Sequence, residues 1–145
     1  MVLLIMSERR FLNLGPMSDN RLKFAARIRQ KGFFTHFPIN RVEDTEYILL
    51  WRSVLDQSLS DLIRGRDNLL ITRKANEEEE QKIVDESWKE LIDWFDPEDY
   101  DFQQVCGFSE FNPEIAFKVM SYCVDSADTI SKDQKWNDII RNTLL

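Results

Sequence analysis

Few residues of this chain could carry out chemistry. One histidine, His36, and two cysteines, Cys106 and Cys123, are the main candidates. A cysteine nucleophile needs a neighbouring base to lower its pKa. His36 has no cysteine or carboxylate at a recognisable spacing, so a dyad with either thiol would have to be assembled by the fold. No Cys-x-x-Cys pair occurs and no histidine lies near the thiols, so no metal site is expected. The cysteines read as reduced, half-buried thiols of a cytosolic protein. Asp96, Glu98, Asp99 and Asp101 crowd together without calcium-loop spacing or a turn glycine. Paired-carboxylate hydrolysis would also need a cleft that nothing in the sequence supplies. The glycines at 15, 32, 65 and 107 are too scattered for a phosphate loop. These observations favour a protein that is not an enzyme, with no cofactor and no metal.

Charge is more informative. The 145 residues carry 19 Lys and Arg against 26 Asp and Glu, a net charge of −7. Residues 1–42 hold eight basic and two acidic side chains, a net +6, and residues 43–145 hold eleven and twenty-four, a net −13. A basic arm on an acidic body suggests two surfaces with different partners, or an arm packed against that body. Arg21, Lys23, Arg27, Arg29 and Lys31 are the candidate phosphate contacts. Glu77, Glu78, Glu79, Asp96, Glu98, Asp99 and Asp101 are the candidates for a field that meets a basic protein surface.

One stretch has the form of a recognition motif. Phe102, Val105 and Cys106 precede Gly107, and Phe111 precedes Asn112-Pro113-Glu114 and the apolar positions Ala116 and Val119. Two short helices across a tight turn fit this pattern, as in a helix-turn-helix. Val105 and Cys106 supply the apolar and small residues for close crossing, and Phe111 anchors the turn. Asn112, Glu114 and Lys118 would face base edges, although no arginine is present to read guanine. The turn position usually held by glycine is Glu110, where a left-handed backbone costs about 1 kcal/mol. A hairpin that only packs fits the same residues.

These residues need elements to position them, and the periodicity is helical throughout. A basic first helix over 18–31 is capped by Ser18 or Asp19 and ended by Gly32. The link Phe33-Phe34-Thr35-His36-Phe37-Pro38 either plugs the core or offers rings to stack on bases. Asn40 and Glu43 open a second helix whose stripe is Tyr47, Ile48, Trp51, Val54, Leu55, Leu59, Leu62 and Ile63. Arg52, Asp56 and Ser60 fall on its opposite, wet side, and Gly65 ends it. Residues 66–74 read as a short strand or buried tether. Asn76 with Glu79 opens a third helix, with Val84, Trp88, Leu91 and Phe95 as its stripe and a stop at Asp96 before proline. Asp96-Pro97 starts a fourth helix that ends at Gly107, and Asn112-Pro113 starts a fifth that runs to about Cys123. Ser131 and Gln134 cap a sixth, with Trp136, Ile139 and Ile140 on its face. The expected fold class is all-α: a compact bundle of about six helices with a helix-turn-helix-like hairpin near 100–123. Residues 1–17 would form a flexible amino-terminal segment and 18–145 a single helical domain, with the basic first helix at 18–31 and the acidic body at 41–145. No apolar run reaches the ~20 residues that span a bilayer, and Val2-Leu3-Leu4-Ile5-Met6 is too short for a secretory signal.

The order Trp51-x-x-Val54-Leu55-x-Gln57-x-Leu59-x-Asp61-Leu62, then Trp88 and Trp94, then Phe102-x-x-Val105-Cys106 and Asn112-Pro113, resembles a group of small proteins of phages and prophages. The resemblance covers about residues 46–120, and Asn112 stands where the group has aspartate. It implies a phage origin and a compact helical body rather than a particular activity. The leading expectation is an accessory protein whose acidic body binds a host or phage protein. The alternatives are DNA binding through the hairpin and basic arm, and a virion or assembly subunit that self-associates through its apolar amino terminus. The cytoplasm of the host cell is the expected location, with the virion as the alternative.

Overall fold

The computed structural model describes residues 18–40, 43–130 and 134–144. The expected flexible segment 1–17, Arg41 and the Ser131 cap lie outside these. Among the described residues the chain is all-helical: α1 (Asp19–Lys31), a single 3-10 turn (Phe34–His36), α2 (Thr45–Thr72), α3 (Glu78–Trp94), α4 (Tyr100–Phe108), α5 (Pro113–Ser126) and α6 (Trp136–Leu144).

Helix α1 begins and ends as its sequence predicts. Ser18 Oγ accepts from the Arg21 amide at 3.1 Å. Gly32 ends the helix at φ +78°, and its N–H reaches the Ile28 carbonyl at 2.8 Å. Only glycine fits there, because a Cβ would lie 2.1 Å from Thr35 Oγ1. The aromatic link then folds inward. Phe33 and Phe34 are fully buried and Phe37 nearly so. Their rings pack edge-on or stacked with one another, and with Phe111 and Trp136, at centroid separations of 5.1–5.7 Å. Of the two readings of this link, the core plug is the one found.

Helix α2 departs most from expectation. It begins at Thr45, after Asp44 in a left-handed conformation (φ 61°), and not at an Asn40 cap. Gly65 (φ 76°, ψ 168°) breaks the helical path as predicted, but the chain resumes helix at once and runs to Thr72. Residues 66–72 are therefore helical, neither strand nor tether. The end is a Schellman turn: Lys74 takes the left-handed position (φ 53°), its N–H bonds the Ile71 carbonyl, and the Ala75 N–H bonds Leu70.

Helix α3 starts after Glu77, which makes no side-chain cap, so the expected Asn76 start is moved along by about a residue. Helix α4 is capped by Asp99, whose Oδ1 accepts from the Phe102 amide at 3.0 Å. Asp96 instead holds a turn by accepting from the Glu98 amide at 2.9 Å. Gly107 lies inside α4 rather than ending it. The end comes at a second Schellman turn, with Glu110 left-handed (φ 57°) and the Phe111 N–H on the Cys106 carbonyl at 2.8 Å. Asn112 caps α5 from its side chain and Pro113 fills the first turn, and the helix continues three residues past Cys123. One hydrophobic cluster takes members from all six helices, among them Phe24, Leu59, Trp88, Phe102, Met120 and Ile139.

Candidate functional site

The polar stripe of α2 is the first surprise. Arg52, Asp56 and Ser60, expected in water, are buried. Their spacing of four places them on one line along the helix, and each bonds a backbone group of another element. Ser60 Oγ donates to the Ala25 carbonyl at 2.9 Å. The Arg52 guanidinium donates to Phe37 O (2.7 Å) and Ser109 O (3.0 Å) and stands 4.6 Å over the Phe111 ring. It thus ties the aromatic link to the α4–α5 turn. Burial pulls its pKa down, while the charges of Glu110 and Asp56 hold it up.

Asp56 Oδ1 accepts from the Phe34 amide at 2.7 Å, and Oδ2 has no hydrogen-bond partner among the described residues. Burial raises its carboxyl from 3.8 to about 6. The amides of Phe34, Phe33 and Thr35 and the charge of His36 offset only part of that. Arg52 and Asp56 are therefore internal braces of the fold. The sequence signal for them was slight: Arg52 directly follows the uninterrupted apolar and aromatic run Tyr47 to Trp51, with Asp56 and Ser60 at spacings of four behind it.

The thiols are fully buried, not half-buried as expected. Burial pushes Cys106 up to about 12 and raises Cys123 as well, where the Asp56 charge adds to the effect. His36 is exposed, and its Nε2 lies 2.9 Å from the Lys31 carbonyl oxygen. No hydrogen bond joins it to either cysteine. Among the described residues no group of three His, Cys, Asp or Glu side chains could hold a metal ion, and no helix is long and apolar enough to cross a membrane.

The candidate phosphate contacts of α1 separate. Arg21, expected among them, is buried. Its Nη1 donates to Ile63 O (3.2 Å), its Nη2 to Val124 O (2.8 Å) and its Nε to Asp128 (3.3 Å). Ser18 and Arg21 together hold the Asp128 carboxyl below its ordinary value. Arg21 is a clamp between α1, α2 and the end of α5, not a surface contact. Arg27 is stacked on Trp136, 3.6 Å from its centroid, and Lys23 pairs with Asp19 at 2.9 Å. Arg29 and Lys31 remain exposed on the last turn of α1.

The acidic candidates fall into two groups. Glu77, Glu78 and Glu79 are exposed at the start of α3, and Asp96, Glu98, Asp99 and Asp101 follow its end. Seventeen residues of helix keep them about 25 Å apart. Asp96 and Asp99 are half-buried and occupied in turn and cap. On α5, Glu114 and Lys118 are exposed beside Ile115, while the Asn112 side-chain oxygen is spent on the cap.

The surface most unlike an ordinary wet exterior lies elsewhere. Tyr47 and Val54, expected in the core, are 49% and 38% exposed, and Leu50 is 62% exposed. They share one face of α2 with half-buried Trp51. Phe108, at the end of α4, joins them: its ring is 4.9 Å from Trp51 and 6.1 Å from Tyr47. The exposed carboxylates Glu43, Asp44 and Glu46 adjoin this face at the start of α2. Exposed Glu110 adjoins it from the turn, close enough to act on Arg52. Comparison with protein families, with curated proteins and with solved structures finds no match to this chain.

Proposed function

We propose that this chain is a non-enzymatic binding module that captures a host or phage protein through the apolar face of Tyr47, Leu50, Trp51, Val54 and Phe108. The observation that carries this reading is that contiguous exposed apolar face, three of whose five side chains are aromatic. Patches of this kind mark protein contact sites, and Tyr, Trp and Phe supply most of the affinity at their centres. The occupant it fits is a basic amphipathic helix. Apolar side chains of that helix would cover Leu50 and the rings, and its Lys and Arg would meet Glu43, Asp44, Glu46 and Glu110. This keeps the expected protein partner but moves the contact from the two separated acidic groups to one compact face.

The test is titration with a tryptophan-free helical peptide carrying one Leu face and one Lys face, followed by the change in tryptophan fluorescence, to which Trp51 on this face contributes. Binding should weaken at least about tenfold in Leu50→Asp, because each 1.4 kcal/mol lost is a factor of ten. It should weaken by a similar factor when Glu replaces Lys in the peptide. Equal affinity for both peptides, or an unchanged affinity in Leu50→Asp, refutes the reading.

A further inference from the structure

One oxygen of the Asp56 carboxylate is left over by the fold. The residue is only 4% exposed. Its Oδ1 braces the Phe34 amide, but its buried Oδ2 has no hydrogen-bond partner among the described residues. A buried carboxylate oxygen without a donor is costly, and folded proteins supply one from the chain, from water or from a ligand.

Beside this oxygen lies a cavity of about 320 Å3 where the end of α1 and the 3-10 turn meet α2. Lys31, Gly32, Thr35, Ser53, Asp56 and Gln57 are among the residues that line it. Oδ2 belongs to the Gly32 side of the carboxylate. A Cβ on Gly32 would stand 3.1 Å from Oδ2 and 2.1 Å from Thr35 Oγ1. Glycine thus lets two oxygens come up against its backbone, where any other residue would put a side chain. A primary ammonium, with three donors on one nitrogen, can bond both.

The charges narrow the ligand further. Lys31 and Arg29 are exposed at the rim and take part in none of the ion pairs found among the described residues. They oppose a simple polycation, and Asp56 opposes a simple anion such as phosphate. Asp61 acts on Arg29 from α2, which leaves Lys31 as the chief rim cation. A carboxylate inside and an ammonium at the rim together complement a molecule that carries both charges. Ser53 Oγ already donates to the Leu49 carbonyl at 2.9 Å, so it is left to accept, and Gln57 adds an amide. Small-molecule sites start at about 300 Å3, so this one suits a compact ligand.

We infer that the cavity between α1 and α2 binds a free α-amino acid with a small polar side chain. Its ammonium bonds Asp56 Oδ2 and Thr35 Oγ1, its carboxylate meets Lys31, and its side chain lies by Ser53 and Gln57. The half-buried Thr35 side chain turns to admit the ammonium. The site does not rest on the protein-binding reading.

The test is isothermal titration calorimetry with L-serine, L-threonine and L-glutamine. Ethanolamine, which lacks the carboxylate, and propionate, which lacks the ammonium, are the comparison ligands. At least one amino acid should bind with Kd below about 1 mM, and both comparison ligands should bind at least about tenfold more weakly. Asp56→Asn keeps an acceptor for the Phe34 amide and should weaken the amino acid at least about tenfold. Lys31→Glu, an exposed change, should weaken the amino acid and tighten ethanolamine. Loss of structure cannot produce that reversal, so this variant decides the matter even where Asp56→Asn does not fold. Lys89→Gln, an exposed change on α3, should leave affinity unchanged. Three results overturn the inference: no saturable binding of any of the three amino acids up to about 20 mM, an affinity that Lys31→Glu leaves unchanged, or propionate binding as tightly as the amino acids.

Discussion

Asp56 offers a prediction whose size follows from its surroundings. Its carboxyl is buried against the aromatic link and raised from 3.8 to about 6. A group whose folded pKa lies above its unfolded value favours the folded state when protonated. Its stabilising contribution is therefore complete below about pH 4 and lost as pH rises through 6. At 1.36 kcal/mol per pH unit the whole displacement is worth about 3 kcal/mol, of which about 2 kcal/mol falls between pH 7.5 and 4.5. Other carboxylates act in the opposite sense. Asp128 and Asp85 are held below their ordinary values by Ser18 and Arg21 and by Arg66, and they lose stability as pH falls. The wild-type curve mixes these trends, so the informative quantity is the difference from Asp56→Asn. Asparagine keeps an oxygen to accept from the Phe34 amide, and any mismatch of its NH2 is the same at every pH. Urea unfolding followed by tryptophan fluorescence at pH 7.5, 6.0, 5.0 and 4.5 gives that difference directly. Wild type should gain about 2 kcal/mol on the variant over this range. Parallel curves, or a gain by the variant as pH falls, would show that Asp56 is not held in the low-dielectric setting described.

Three more outcomes follow from the packing. Arg21→Ala leaves the carbonyls of Ile63 and Val124 buried without their donor, and should cost about 2–4 kcal/mol in a denaturant melt; a loss below about 0.5 kcal/mol refutes the clamp. Lys74→Gly relieves a left-handed residue at an exposed turn, and should raise stability by about 1 kcal/mol, read as a higher melting temperature. Cys106 and Cys123 should resist a thiol reagent in the native state and react fully in denaturant, since burial suppresses both thiolates; rapid labelling without denaturant contradicts their burial.

The helical class, the α1 and α5 caps and the left-handed Glu110 were legible because each depends on residues within a turn of one another. Ser18 reaches Arg21, Asn112 reaches Glu114, and Glu110 closes on Gly107. The role of Gly65 was legible only in part. The break is local, but the resumption of helix depends on Leu69 finding a buried place. On α2 the stripe was legible at Ile48, Leu55, Leu59, Leu62 and Ile63, which are buried, while Tyr47, Val54 and the polar Arg52, Asp56 and Ser60 were misread for a physical reason. Helical periodicity separates polar from apolar faces and assumes that polar means wet. Here the aromatic link and the α4–α5 turn enclose carbonyls and amides that need polar partners, so Arg52 and Asp56 go inward. Tyr47, Leu50 and Val54 are left outside. No arrangement of neighbours in sequence records that exchange, because Ser109 lies 57 positions from Arg52.

The Arg21 clamp has a consequence for the order in which the protein is made. Its carboxylate partner, Asp128, lies 107 residues later in the chain. At about 5–20 residues per second, the ribosome delivers that partner roughly 5–20 s after Arg21. During the interval α1 can lay Phe24, Ala25 and Ile28 against α2 as soon as that helix emerges, but its guanidinium lacks both Val124 and Asp128. Helix α1 is therefore among the last elements to be secured, and a nascent chain stalled before residue 124 should leave it open to protease.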